Sequence, residues 1–489
     1  MWQLKIAVSI LNIRSLAKNL WFAFLSQGVA LVCSVLTTLL VPKIMGVEDY
    51  GYWQYFVFLV SYVSFFQLGV NDGVYLTHGG ETRSEIDKHL VKTEFGLSLA
   101  MQSLFMFAII ALSFVFARDS DKFILYIGAA LYMVVSNATF FLGYVFQSMN
   151  ETKLYSMSIV VDRFVFLVPL AACVLLRISD CGIYIAAYIV ARCVALAYCL
   201  YHARDFLMSA SVTLDSGLQA LFHDMRLGLV MTVANVCGML ILGLARYIIE
   251  ARWGIAVFGQ LSLSLSLVNF ILMFISQLSM VLFPALRQTD SAELGGLYAM
   301  LRNYALILLP LAFAIYYPAS LFVSVWLPEY LGSLVYFVFL MPIVLFESLG
   351  DMICNTFFKV RCEPVRILAV NVISLAFAGI GVYVAAYVLV DIYAVMVAAV
   401  AALAIRAYLG MFLLSASYGE HNARICTSSL VFAIIFVVVN NQLKMVEAFV
   451  VTLALMGVYC AFNKKETRAF FGKCVEVLRS IMRSRRVAI

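Results

Sequence analysis

Charge is what this chain has least of. Asp, Glu, Lys and Arg make up 12% of its 489 residues, hydrophobic residues 64%, and the mean hydropathy is +0.99. No water-soluble domain of this length needs so much apolar surface, so lipid must be the solvent for most of it. Long polar connections are missing too. No stretch between the apolar runs could fold into a separate globular domain, which leaves the helical bundle itself to carry the function. The eleven cysteines contain no C-x-x-C and no Cys/His ligand spacing, so nothing supports a catalytic, metal or cofactor role. Cys33, Cys173, Cys193, Cys199, Cys237 and Cys460 lie inside apolar runs and read as small fillers. The phosphate-binding pattern G-x-x-x-x-G-K-[ST] is also missing, which excludes an ATP-driven pump acting alone. A cleavable leader is not expected either. The apolar run 19–41 after Lys5, Arg14 and Lys18 is too long for a leader core and lacks a small-residue cleavage site. Residues 2–16 alternate apolar and polar positions and are expected to form a short amphipathic helix at the membrane interface.

What is present is a series of long apolar runs. A spanning helix needs about 20 mostly apolar residues. On that rule spans fall near 20–41, 52–70, 94–117, 123–147, 154–176, 182–201, 226–248, 258–283, 304–327, 333–358, 365–390, 391–414, 425–440 and 444–463. The expected class is an all-α polytopic membrane protein of about fourteen transmembrane helices. Asp391 and its neighbours alone mark the turn between the eleventh and twelfth. Lys and Arg concentrate in the N-terminal arm, the 71–93 connection, the loop with Lys359, Arg361 and Arg366, and the tail from Lys464 to Arg486. By the positive-inside rule these lie in the cytoplasm, and with an even span count both termini do. The basic tail reads as an anchor to anionic headgroups, with no nucleic-acid role.

The sequence also repeats itself. Gly46-Val47-Glu48-Asp49-Tyr50-Gly51 follows the first span, and Gly254-Ile255-Ala256-Val257-Phe258-Gly259 follows the seventh. Both glycine pairs are 208 apart (254 − 46 and 259 − 51). Six spans separate the copies, so the halves share one orientation, as in transporters built from parallel repeats. The expected organisation is an N-lobe (1–201), a connection bearing a surface helix (202–225), a C-lobe (226–414), two additional spans (415–463) and a basic tail (464–489). The lobes are expected to be pseudo-symmetric, six helices each. Asn71-Asp72-Gly73 and His78-Gly79-Gly80 read as a turn-rich loop, and the five histidines as solvated.

The residues from Asn19 through Gln27, Pro42, Gly46–Gly51 and Trp53 to Leu68-Gly69-Val70 resemble the start of bacterial polysaccharide repeat-unit flippases. These form the O-antigen and capsule branch of the multidrug/oligosaccharidyl-lipid/polysaccharide exporter superfamily. Pro284 in Val281-Leu282-Phe283-Pro284-Ala285-Leu286 fits the same pattern. The resemblance implies two six-helix lobes around a cavity that opens alternately to each face of the inner membrane. It also implies a polyprenyl-pyrophosphate-linked oligosaccharide as cargo, moved from the cytoplasmic to the periplasmic leaflet, and possible partnership with other polysaccharide-assembly proteins. Most of this branch has twelve spans. The additional pair here is similar to that of peptidoglycan lipid flippases.

Ionisable groups inside spans are expensive and therefore informative. Glu347, Asp351, Asn355 and Lys359 recur every four residues and share a helical face. Glu347 and Asp351 are candidates for ion coupling, and the competing reading is an inter-helix polar stripe. The span arginines Arg163, Arg192, Arg246 and Arg406 could meet a pyrophosphate. Arg246 is the first candidate, because the resemblance places its helix at the cavity wall. Arg163 next to Asp162 suits an internal ion pair better. Arg192 and Arg406 occupy matching positions, 214 apart (406 − 192), on the last span of each lobe. Gln27, Gln54, Gln67, Asn235, Asn269 and Gln277 offer donors and acceptors to sugar hydroxyls, or else to neighbouring helices. Two other functions remain open. A cation-coupled multidrug exporter would want acidic walls, whereas these spans carry several arginines. A polysaccharide polymerase would want a large outer loop, and the outer loops here are short.

Overall fold

Backbone polar groups have no water to bind inside a bilayer, so a chain this apolar must satisfy them within its own helices. The computed structural model describes residues 2–116, 119–210, 212–287, 289–290, 292–473 and 476, and among these no strand occurs. Twelve helices are long and apolar enough to cross a membrane, or fourteen when each of two bent pairs counts as one span.

The first span is the end of a 43-residue helix, α1 (Trp2–Ile44), which takes in the N-terminal segment without a break. The side chains of residues 2–20 lie outside the described residues. The second span is broken into α2 (Val47–Ser61), a 3-10 turn (Val63–Gln67) and α3 (Val70–Thr77), with a bend of 51°. Leu68 and Gly69 have φ of 50° and 89°, which stops the helix and re-aims it. Asn71-Asp72-Gly73 is therefore part of a helix, not a turn, because the break falls before it, at Leu68 and Gly69. His78 is buried, with its Nδ1 2.8 Å from Glu81 Oε2, so it is not solvated as expected.

Four regular spans follow: α4 (Lys88–Phe116), α5 (Ser120–Ser148), α6 (Thr152–Leu176) and α7 (Cys181–His202). After the four-residue α8 (Arg204–Leu207), α9 runs 40 residues from Leu214 to Trp253. Residues 214–225 are thus the first turns of the seventh-span helix, continuous with it. Then come α10 (Ile255–Arg287), α11 (Leu294–Leu311) and α12 (Tyr316–Trp326), the last two joined by a 3-10 turn at Ala312–Ile315. The tenth span is α13 (Ser333–Leu340), α14 (Ile343–Ser348), a π-helical turn (Leu349–Asn355) and α15 (Thr356–Val360), bent by 40° near Pro342. Proline lacks the N–H and clashes with the preceding turn, which accounts for that bend. The eleventh is α16 (Pro364–Tyr383) with a π-helical end (Val384–Leu389). Asp391 caps α17 (Ile392–Tyr418), its carboxylate accepting from Tyr393 N at 2.9 Å, so the turn assigned to it is real. α18 (Ala423–Gln442) and α19 (Met445–Phe462) complete the set.

The chain separates into two compact units. One comprises Met1–Val236 with Ile255–Gly259, the other Cys237–Gly254 with Gln260–Ile489. The division runs through α9. Within the first unit the repeated blocks touch each other. A Cβ on Gly51 would collide with the Ile255 carbonyl, and one on Gly259 would sit 2.8 Å from Val47 O and 3.0 Å from Gly51 Cα. Phe258, the aromatic of the second block, packs edge-on against Tyr55 and Phe58 at 5.4 and 5.9 Å. At the break before α3, Gly69 lies against the backbone of Gly228 and Leu229 on α9, where no side chain would fit.

Candidate functional site

In the first unit α5, α6 and α7 bring together the two polar anchors of an arginine. Arg192 on α7 donates from Nη1 to Asp162 Oδ2 at 3.4 Å, and from Nε and Nη2 to Ser136 Oγ at 3.3 and 2.9 Å. Its guanidinium lies 4.5 Å over Phe140 and 5.7 Å over Tyr132, a cation–π environment that offsets part of its lost hydration. Both members of this pair are 6% exposed. Arg163 points elsewhere. It stays 32% exposed, with Nε 4.0 Å from Asp162 Oδ2 and Nη1 donating to Tyr188 Oη at 3.4 Å. Tyr188 belongs to an aromatic cluster with Trp53, Phe56, Tyr132 and Phe166, at centroid distances of 5.1 to 6.0 Å. Two guanidiniums thus share one carboxylate, and the surplus is one positive charge on the side left exposed.

The second unit repeats the arrangement with the opposite surplus. Arg406 on α17 donates from Nη1 to Glu347 Oε1 and Oε2 at 2.9 and 3.0 Å, one nitrogen bridging both carboxylate oxygens. Nη2 reaches Asp351 Oδ1 at 3.2 Å, and Nε reaches Asn371 Oδ1 on α16 at 2.9 Å. Glu347 and Asp351 therefore do share a face. The π-helical turn between them keeps Asp351 on the side toward Arg406, and such turns are frequent at functional sites. Asn355 Nδ2 donates to the same Asp351 oxygen at 2.8 Å. Arg406 is buried, while the Asp351 side chain is 53% exposed. Two carboxylates share one guanidinium, and the surplus negative charge sits on the accessible carboxylate.

The other candidates are scattered. Arg246 is half-buried and donates from Nη2 to Ser262 Oγ at 3.1 Å, one turn before the buried Glu250. Gln27 is half-buried on α1; Asn235 on α9 and Asn269 on α10 are exposed. The side chain of Gln277 lies outside the described residues. Gln54 is buried and donates to Tyr50 Oη at 2.7 Å. Gln67 donates to Thr232 Oγ1 at 3.2 Å and accepts from Asn71 N at 2.7 Å.

Sequence reasoning missed three groups. Thr232 on α9 also donates to Asp72 Oδ2 at 2.9 Å, and Thr77 Oγ1 to Asp224 Oδ1 at 2.5 Å, tying α3 to the start of α9. Asn371 and Ser136 complete the two arginine clusters. A lone Asn in the middle of an apolar span was a usable signal for the first; an ordinary serine gave none for the second. Outside the spans, Arg83 joins Glu151 (Nε–Oε1 3.0 Å) to Asp205 (Nη1–Oδ1 2.8 Å). Burial works against its charge, but the two carboxylates outweigh that and raise its pKa above the usual arginine value.

Residues 16–290 match the family model described as polysaccharide biosynthesis protein. No curated protein matches by sequence. Among solved structures, an inward-facing multidrug resistance MATE-family transporter of the MOP superfamily superposes with a TM-score of 0.59 at 13% identity, covering 79% of this chain and 95% of that one. An outward-facing MATE-family transporter gives 0.57 at 13% identity, with 82% and 96% covered. The lipid II flippase MurJ in an inward closed conformation gives 0.56 at 12% identity, with 94% and 100% covered. At these identities the likeness is one of fold.

Proposed function

Because the chain belongs to the polysaccharide biosynthesis protein family and has the fold of MOP-superfamily transporters, we propose that it is a flippase for a polyprenyl-pyrophosphate-linked oligosaccharide. The cargo passes from the cytoplasmic to the periplasmic leaflet of the inner membrane by alternating access, with both chain termini cytoplasmic. The observation that carries this reading is the opposite surplus of the two buried arginine clusters. Arg163 supplies the permanent cation a pyrophosphate requires, with Arg246 as a second contact. Arg192 and Arg406 hold their own units together. Asp351, accessible and next to a charge already satisfied by Glu347, takes up and releases the coupling ion, with Glu347 as its partner. Gln27, Asn235, Asn269 and Gln277 serve the sugar hydroxyls. Satisfying the structural charges inside each unit lets a unit move without breaking ion pairs, as rocking mechanisms need.

The test is a deletion strain scored for surface polysaccharide and complemented with Arg163→Ala, Arg246→Ala, Glu347→Gln or Asp351→Asn. Loss of polysaccharide in the null strain, with poor rescue by Arg163→Ala and Asp351→Asn at normal protein levels, is expected. Normal polysaccharide with altered drug tolerance in the null strain would replace this reading with multidrug export.

A further inference from the structure

Two buried carboxylates of the first unit lie outside the arginine clusters. Glu94 on α4 and Asp224 on α9 are each 1% exposed. Glu94 Oε2 and Asp224 Oδ2 are buried and have no hydrogen-bond partner. The charged groups acting on Glu94 are both acids, Asp224 and the exposed Asp87, so Glu94 and Asp224 are close enough to repel each other. Asp224 is the better placed of the two. Thr77 Oγ1 donates to its Oδ1 at 2.5 Å, and His78 and His223 attract its charge. His78 is already engaged by Glu81 through Nδ1 at 2.8 Å, its Nε2 is buried with no partner, and His223 is exposed.

Packing explains why the two acids meet. A Cβ on Gly217, near the start of α9, would lie 2.5 Å from Thr93 Cγ2 and 3.2 Å from Leu97 Cδ1 of α4. Four residues on, Leu221 shares a core with Val91 and Phe95 of α4 and with Val70 and Val74 of α3. Asp224 follows on the same face of α9, and its backbone lies against Gly73 of α3, where a Cβ would collide. The acids therefore sit where α3, α4 and α9 come together, wholly within the first unit. A buried charge without a counter-ion is costly, and a second of the same sign beside it is more so, so one of the two neutralises instead. Glu94 is the one to do so. The hydrogen bond from Thr77 favours the ionised form of Asp224, and Glu94 Oε2 has no such donor.

We propose that Glu94 and Asp224 form a proton-binding site whose single proton, carried by Glu94, controls how tightly α3 is held to the start of α9. With the proton in place, Asp224 stays ionised and keeps Thr77. Loss of the proton sets two negative charges against each other where α9 lies along α4, and this loosens the tie that Asp224 makes to α3. Among the described residues no group of three His, Cys, Asp or Glu side chains is placed to hold a metal ion, which favours a proton as the ligand. Asp87, Thr77 and His223 are exposed beside the pair and give the proton a way to and from water. The site depends neither on the cargo nor on the coupling role assigned to Asp351.

The test uses the full-length protein in detergent. Infrared spectra near neutral pH are expected to show a carboxylic-acid carbonyl band that Glu94→Gln removes and Asp87→Asn leaves in place. Backbone hydrogen exchange of α3 is then compared between wild type and Glu94→Gln at matched pH, so that the intrinsic exchange rate cancels. The two should agree at about pH 6, and at about pH 9 the wild-type α3 should exchange about tenfold faster, the effect of one pH unit of proton linkage. Asp224→Asn, which leaves no second charge to repel, should loosen α3 equally at both pH values. An acid band untouched by Glu94→Gln, or α3 exchange that matches wild type at both pH values, would overturn the proposal. So would α3 protection that follows sodium or potassium concentration at fixed pH and vanishes in Glu94→Gln, which would make the ligand a metal cation. A pH-dependent loosening that persists in Asp224→Asn would do the same, since the repulsion would then not be its cause.

Discussion

The first unit keeps two arginines around one carboxylate; the second keeps two carboxylates around one arginine. The arginine itself has not moved, since Arg192 and Arg406 both sit on the last span of their six-span sets and are both buried. Its partners have changed places. In the first unit the acid, Asp162, is on the fifth span (α6) and the neutral partner, Ser136, on the fourth (α5). In the second the acids are on the fourth, around the π-helical turn, and the neutral partner, Asn371, is on the fifth (α16). A duplicated bundle can therefore hold its buried cation fixed as a packing element and reverse the sign of the accessible charge by changing neighbours. That is how one scaffold presents a cation in one half and an anion in the other.

The largest expected break in this comparison is Arg406→Ala. It leaves the mostly covered Glu347 carboxylate without its cation and should cost about 3–5 kcal/mol, seen as a large fall in melting temperature or loss of folded protein. Arg192→Ala should cost less, about 1–3 kcal/mol, because Arg163 already lies 4.0 Å from Asp162 and can turn toward it. Equal losses would mean the two clusters are not equivalent scaffolds with different surpluses. Next comes the repeat. Gly51→Val should destabilise by about 1–3 kcal/mol through overpacking against the Ile255 carbonyl. Gly46→Ala, where a Cβ meets nothing within 4 Å, should stay within about 0.5 kcal/mol. Asp351→Asn should leave melting nearly unchanged but alter the ion or pH dependence of transport, while Arg163→Gln weakens cargo binding about tenfold without that dependence changing. The half-exposed networks should contribute modestly. Arg83→Ala should cost about 1 kcal/mol, since it unites three separate segments. Arg361→Ala, whose partner Glu363 is two residues away, should cost less, and added salt should diminish both.

The spans were legible because lipid imposes one rule on every one of them. Apolar runs of sufficient length located the helices, and Asp391 marked its turn because a carboxylate caps the helix that follows. The interruptions were hidden. Nothing in Leu349–Asn355 or Val384–Leu389 distinguishes a π-helical turn from an α-helical one, since the difference is a matter of packing. The Glu347–Asp351 stripe could be read, because a period of four on a helix is a statement about faces. Its arginine could not, since the residue it meets is 55 or more positions away. Arg302 lies just before the run 304–327 read as the ninth span, and nothing in its neighbourhood marks it as buried, although it is 2% exposed. Its burial depends on α17, which no local pattern reveals.

The contact between Gly51 and Gly259 has a consequence for inheritance. Gly51 is denied a side chain by the Ile255 carbonyl, and Gly259 by Val47 O and the Gly51 backbone, so neither can gain one while the two blocks lie this close, although 208 residues (259 − 51) lie between them. A chimera that grafts one half onto a relative with even an alanine here would carry a steric fault that neither parent has.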